Sequence, residues 1–203
     1  MRLVLATGNP DKAAELREIL TAAGPSDIEL VPRPAGIADP LEDGATLIDN
    51  ARIKARAVVE ATGQAAVADD TGLEVAALGG APGIRAARWA GPGATYADNV
   101  AKLLTEMDGI SDRRARWRTV ALVAFPDGCE LSAEGTCDGV VAGASHGGGG
   151  FGYDPVFIPA EGDGRTFAEL NRAEKNSISH RGRAFRALAA RLAGPGARTG
   201  PLA

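Results

Sequence analysis

The sequence predicts an α/β fold built on a mixed β-sheet. Three observations carry this. Short apolar strand-like runs alternate with segments of helical period along the first third of the chain. Two strand-like segments near the middle flank Pro126-Asp127-Gly128, a turn signal that makes them a hairpin. No internal repeat or linker interrupts residues 1–193, which read as one domain, followed by a Gly/Pro-rich tail over 194–203 that should fray.

The elements follow in order. Residues 2–6 read as a buried strand. A helix should follow, because Asn9 is a good N-cap and Pro10 suits the first helical position. Leu16, Ile19, Leu20 and Ala23 then form one apolar face, and Gly24-Pro25 ends the helix. Residues 28–31 read as a second strand, closed by Pro32 and Pro34. After a Pro/Gly/acid loop over 33–45, Thr46 and Asp49 have capping-box form, and a helix should run to about Thr62, stopped by Gly63. Its apolar face is Ile48, Ala51, Ala55 and Val58. A strand follows, ending in Asp69-Asp70-Thr71-Gly72. Residues 79–93 are loop-rich and 97–107 look helical. Residues 116–125 are rich in β-formers, with partner strands expected near 129–133 and 139–142. A glycine-rich stretch precedes a short strand at 156–158, and a last helix should cover 181–192.

Composition bounds the function. Hydrophobic residues make up 45% and charged residues 24%, as in soluble globular proteins. The net charge of −4 argues against a strongly basic nucleic-acid surface. No apolar run reaches the ~18 residues of a membrane span, and Leu3 to Ala6 is too short for a signal-peptide core. Cys129 and Cys137 have neither CxxC nor zinc spacing and read as two small apolar thiols in strands. A cytoplasmic location is expected.

Several segments hold groups suited to chemistry. Thr7-Gly8-Asn9-Pro10-Asp11-Lys12 joins the first strand to the first helix, a setting that binds phosphate through backbone N–H groups. Lys12 near the third helical position opposes the helix dipole, a penalty that a bound anion would reverse. The Walker pattern is absent, and an ordinary capped turn with a solvated lysine is the alternative. Asn50 and Lys54 share a helix face, which is otherwise a polar surface. Glu42 and Asp43 add acids in the preceding loop.

Adjacent carboxylates at Asp69 and Asp70 repel and lose solvation where they are buried, and a bound magnesium or calcium would offset both costs. The competing reading is a strand followed by an acidic turn. The run Gly147 to Gly152 formally matches G-x-G-x-x-G, but a β-like segment follows where a dinucleotide fingerprint needs a helix. These glycines instead suit close backbone approach, and Phe151 could stack on a base or simply anchor the loop. Lys175, His180 and Arg181, with Ser177 and Ser179, offer many donors to phosphates or base carbonyls; a capped helix start with surface charge is the alternative.

Taken in order, Thr7-Gly8-Asn9 with Lys12, Asp49-Asn50 with Lys54, Ala68-Asp69-Asp70-Thr71-Gly72, Gly80-Ala81-Pro82-Gly83, Gly149-Gly150-Phe151-Gly152-Tyr153-Asp154-Pro155 and Glu174-Lys175-Asn176-Ser177-Ile178-Ser179-His180-Arg181 closely resemble the inosine/xanthosine triphosphate pyrophosphatase family. The resemblance spans Leu3 to about Leu192. Each motif is weak alone; six in order are specific. The chain departs in Ala87, where the family usually has serine, and in its longer glycine run.

The resemblance implies an elongated mixed β-sheet flanked by helices, with two lobes around a central cleft, and a homodimer; the charge and the lack of a membrane-length apolar run imply that it binds neither nucleic acid nor membrane. It implies Mg²⁺-dependent hydrolysis of the purine nucleoside triphosphates ITP, dITP and XTP to monophosphate and pyrophosphate. By motif, Thr7, Gly8, Asn9, Pro10, Asp11 and Lys12 would hold the triphosphate, with Lys54 as a further cation. Asp70 would be general base and metal ligand, with Glu42 (or its neighbour Asp43) as second metal carboxylate, and Thr71 would touch substrate. Phe151, Gly152, Tyr153, Asp154, Lys175, His180 and Arg181 would surround base and sugar. Arg181 and the His180 region would donate to the 6-keto oxygen that adenine lacks, and an unpaired buried polar group costs ~1–3 kcal/mol. Strand alternation further assigns Asp69 a supporting role, on the face opposite Asp70. The competing readings are a related pyrophosphatase for modified pyrimidine triphosphates and a non-catalytic nucleotide-binding module.

Overall fold

Strand pairing places the acid pair near the middle of the sheet. The computed structural model describes residues 1–23 and 28–194; the predicted helix stop at Gly24-Pro25 and the tail beyond Gly194 lie outside them. The strands are β1 (Arg2–Leu5), β2 (Glu29–Val31), β3 (Ala66–Val75), β4 (Pro82–Gly83), β5 (Arg114–Ala124), β6 (Glu130–Val141) and β7 (Phe157–Pro159). Their order is β2-β1-β3-β5-β6-β7, with β4 added to β3. The β1 strand runs parallel to β2 and β3, whereas β3–β4 and β6–β7 are antiparallel, so the sheet is mixed as expected. The helices are α1 (Pro10–Ala23), α2 (Leu47–Thr62), α3 (Tyr96–Glu106), α4 (Arg172–Ile178) and α5 (His180–Ala193).

The chain forms two compact units. The first comprises residues 1–70, 119–135 and 181 onward. Its core is aliphatic: Leu3, Leu5, Leu16, Leu20, Val67 and Leu188 pack with Phe185, and Val4, Ala51, Ala55, Val58 and Leu122 form a second cluster. Local signals fix its helices. Asn9 accepts from the Asp11 and Lys12 amides at 2.9 and 3.2 Å, capping α1. Thr46 caps α2 by accepting from the Asp49 amide at 3.3 Å, and Gly63 ends it in the left-handed region at φ 66°. Ala23, expected on the apolar face of α1, is exposed.

The second unit comprises residues 71–118 and 136–180. Its core is aromatic: Trp117, Tyr153, Phe157 and Phe167 pack with Leu73, Leu103 and Met107. Three expectations are corrected along these elements. The sequence Thr71-Gly72 is not a turn; β3 continues to Val75 because Leu73 and Glu74 pair with Gly83 and Pro82. Gly72 permits that approach, since a β-carbon there would lie 3.0 Å from the Gly83 carbonyl. Two expected strands near 129–142 are one strand, β6, because β5 is long enough to pair along its length. The last helix is found as α5, but a further helix, α4, that was not expected precedes it, the two separated at extended Ser179. Ser177 is not a cap there: its hydroxyl donates to the Glu174 carbonyl at 2.7 Å, within α4.

Candidate functional site

In the first unit, charged side chains from α1, α2, β3 and α5 meet around the acid pair. The two carboxylates find different partners, as strand alternation requires. Asp70 Oδ1 accepts from Lys54 Nζ at 2.8 Å and Oδ2 from Asn50 Nδ2 at 3.2 Å. The same ammonium donates to Glu42 Oε2 at 3.3 Å. Asn50 is fully buried and also accepts from the Gly44 amide at 2.9 Å, tying the acidic loop to Asp70. Glycine is required at 44, where a β-carbon would lie 2.6 Å from the Asn50 amide oxygen. Asn50 and Lys54 are therefore not a solvated surface face. Of the two loop acids, Glu42 reaches the cluster, while Asp43 is exposed.

Asp69 Oδ2 accepts from Arg181 Nη2 and Nε at 3.2 and 3.3 Å and lies 3.5 Å from Lys12 Nζ. Arg181 Nη1 donates to Glu15 at 2.6 Å. Burial opposes ionisation of Asp69, but Lys12, Arg181 and Lys54 outweigh it and hold the carboxyl well below the usual range. Burial also works against the Lys54 ammonium, yet Asp70, Asp69 and Glu42 together raise its pKa. For Lys12, burial wins: aided by the Lys54 and Arg181 charges, it lowers the pKa despite Asp69. Thr7 accepts from the Asn9 amide at 3.2 Å, so the Thr7–Lys12 turn is well capped, and part of its N–H supply is spent on Asn9 itself. Pro10 and Asp11 begin α1 as expected, with Asp11 exposed.

The second unit holds a different cluster. Lys175 Nζ donates to Asp154 Oδ2 at 2.6 Å, both side chains being almost fully buried. The same oxygen accepts from the Phe151 amide at 2.8 Å, which fixes the glycine-rich loop. Gly150 is obligatory there: its φ is 67°, and a β-carbon would lie 2.1 Å from that oxygen. The Lys175 ammonium sits 4.8 Å from the centre of the Phe151 ring and 5.8 Å from that of Phe167. His180 stacks on Trp117 with centroids 4.8 Å apart.

The structure thus gathers Phe151, Asp154 and Lys175 in one place and adds Phe167, which the sequence did not single out. Gly152, at φ 64°, shapes the loop. Tyr153 is a core residue whose hydroxyl donates to the Ala86 carbonyl at 2.9 Å; burial, with the Glu106 charge, pushes its pKa up. Thr71 is half-buried on β3. Arg181, expected with the base-directed donors, has its guanidinium on Glu15 and Asp69. Glu15 was missed, although it lies four residues before Ile19 on the apolar face of α1, where a solvated acid would be out of place. Cys137 is buried in β6 and Cys129 is exposed.

Among the described residues, no three His, Cys, Asp or Glu side chains are grouped to hold a metal ion, and no helix is long and apolar enough to cross a membrane.

Similarity to known proteins gives the family. Over 190 residues the chain is 50% identical to a dITP/XTP pyrophosphatase of Streptomyces coelicolor, covering 92% of this chain and 94% of that protein. It is 46% identical to a dITP/XTP pyrophosphatase of Thermus thermophilus, over 93% and 90% of the two chains. Among solved structures, a HAM1 protein from Coxiella burnetii superposes with a TM-score of 0.84 at 38% identity, covering 95% of this chain and 98% of its own. The model of the Ham1 family matches residues 3–191, and the chain belongs to that family.

Proposed function

We propose that this protein hydrolyses the non-canonical purine nucleoside triphosphates ITP, dITP and XTP to the monophosphate and pyrophosphate. Curated relatives named dITP/XTP pyrophosphatase, at about half identity over nearly the whole chain, support this reading. The observation that carries the chemistry is Asp70: a nearly buried carboxylate held on both oxygens, by Lys54 and by Asn50, with Glu42 converging on the same ammonium.

In this reading Asp70 and Glu42 hold Mg²⁺. The donor set fits, because two hard carboxylates already gather around one cation, and magnesium takes one or two protein carboxylates and completes its shell with water and phosphate oxygens. When bound, the ion neutralises charge on the phosphate oxygens. The chain's own groups do the rest. Lys12 and Lys54 add positive charge against the triphosphate, and Thr7, Gly8 and Asn9 position it. Pro10 and Asp11 set the entry of α1 that fixes this turn, and Thr71 contacts the substrate beside Asp70. Asp70 orients the attacking water and accepts its proton, while pyrophosphate leaves from the α–β anhydride. Asp69 keeps Lys12 and Arg181 in place.

Phe151, Gly152, Asp154, Lys175 and His180 take base and sugar, and Tyr153 anchors their loop. Arg181 belongs instead to the ion-pair network behind the phosphate turn, its guanidinium taken up by Glu15 and Asp69. We further infer a cytoplasmic homodimer, on the resemblance described above.

The test is pyrophosphate release from ITP, dITP and XTP with and without Mg²⁺, in the wild type and in Asp70→Asn. Turnover should need the metal and fall about 10²–10⁴-fold in the variant, the usual weight of a positioned general base. Orthophosphate as product would overturn the reaction class. Full turnover in Asp70→Asn would remove Asp70 from its role.

A further inference from the structure

The loop after β2 covers the glycine of the triphosphate turn with an ion pair. Arg33 Nη1 donates to Asp39 Oδ1, and Nη2 donates to the Ile37 carbonyl. A side chain on Gly8 would set its first carbon 3.1 and 3.2 Å from the two Asp39 oxygens and 3.4 Å from Arg33 Nη1. Carboxylate and guanidinium therefore both lie directly over Gly8. They are unequal partners. The Arg33 side chain is 14% exposed and is held by its own loop backbone, between Pro32 and Pro34. The Asp39 side chain is 74% exposed and is held on one side only.

An exposed carboxylate beside a turn meant for a polyanion is unfavourable once the polyanion arrives, because like charges repel. A fixed guanidinium at the same place is favourable, because its fork suits phosphate oxygens as well as carboxylate oxygens. We propose that Arg33 is a phosphate ligand of this enzyme and that Asp39 is its stand-in anion, occupying the place over Gly8 until a substrate phosphate displaces it. This rests on the triphosphate assignment of the Thr7–Lys12 turn. It adds a cation at a position that the family motifs do not include. The exchange needs little ordering, because Ile37 keeps Arg33 in position when Asp39 swings into solvent.

A loop anchor and a phosphate ligand make opposite predictions for the two partners. If the pair only holds the loop, losing either member has the same sign. If Arg33 binds phosphate and Asp39 competes for it, the signs differ. The experiment measures KM for ITP, and equilibrium binding of inorganic pyrophosphate and of inosine, in the wild type, Arg33→Ala, Arg33→Lys and Asp39→Asn. Arg33→Ala should weaken ITP and pyrophosphate about tenfold or more, as expected for loss of a charge-assisted fork, with inosine binding unchanged. Arg33→Lys should fall between, keeping the charge without the fork. Asp39→Asn should tighten pyrophosphate by about two- to fivefold, the size of a partly solvated like-charge repulsion. Joint weakening in Arg33→Ala and Asp39→Asn, or unchanged pyrophosphate binding in Arg33→Ala, would overturn the proposal while an active wild type leaves the pyrophosphatase reading intact. A wild type that releases no pyrophosphate from ITP would remove both.

Discussion

The two units solve the burial of charge in opposite ways. In the first, Lys12, Lys54 and Arg181 interleave with Asp69, Asp70, Glu15 and Glu42, so that Lys54, Arg181 and Asp69 each face two opposite charges. In the second, a single Lys175–Asp154 pair is set among Phe151 and Phe167, with His180 stacked on Trp117. A network can exchange partners: a polyphosphate and a cation arriving together replace existing charges with charges of the same sign. A lone pair beside rings offers a flat apolar face with one fixed cation, which suits a heterocycle. Under the proposed function, the first unit would meet the phosphates and the second the base.

The comparison is broken most directly by removing one cation from each unit. Arg181→Met removes the guanidinium that Glu15 and Asp69 share in a nearly dry environment and should cost about 3–5 kcal/mol of folding stability. Lys175→Met strands Asp154 alone, and that carboxylate keeps the Phe151 amide, so the loss should be smaller, about 1–3 kcal/mol. Urea unfolding of both variants measures this. Equal losses would mean that the network is no more interdependent than the pair.

A further effect appears with pH, and it belongs to the first unit. The Asp69 carboxyl is held down in the folded state, whereas in the unfolded chain it titrates near its ordinary value of about 3.9. The unfolded state then binds more protons in acid, so this contribution is full above about pH 5 and is lost as the pH falls below it, to a total of order 2–3 kcal/mol. On the alkaline side two lysines oppose each other. The raised Lys54 value stabilises below its unfolded pKa and is lost as the pH rises through the folded one. The lowered Lys12 value has the reverse sign, and its cost is relieved as the pH rises. The expected profile is a steep acid limb and a shallow alkaline one. Unfolding of Asp69→Asn between pH 2 and 6 should show a flatter acid limb than the wild type; an identical limb would place the titration elsewhere.

Much of this was legible in the sequence where the controlling physics is local. The Asn9 cap with Pro10, the Thr46 cap with its Gly63 stop and the hairpin turn at Pro126-Asp127-Gly128 each follow from a few neighbouring residues, and each is found. The different partners of Asp69 and Asp70 follow from strand periodicity alone. What failed depended on distant chain. Thr71 and Gly72 have turn chemistry but are held in β3 by Pro82 and Gly83. The gap expected between 133 and 139 lies instead inside one strand, β6, next to β5. The α4 helix was missed although Asn171 and Glu174 form a reciprocal capping box, which four consecutive residues could have revealed. The Glu15 partner is 166 residues away, and only its position on an apolar helix face hinted at burial.

The finest distinction between the units is tested at Phe151. Its ring is 4.8 Å from the Lys175 ammonium and 6.0 Å from the Tyr96 ring, and its amide is tied to Asp154, so the backbone is fixed independently of the side chain. Phe151→Leu keeps apolar volume and that backbone bond but removes the π face. Base stacking is worth about 1–3 kcal/mol, so the lower end of that range, roughly a fivefold rise in KM for ITP, is expected where leucine still covers the base. Pyrophosphate inhibition constants should not move, because pyrophosphate carries no base and the variant leaves every charge of the first unit in place. A change in both constants would mean that the two units do not divide the nucleotide as their side chains suggest. A change in neither would make Phe151 a loop anchor, its ring serving Tyr96 and Lys175 rather than a substrate.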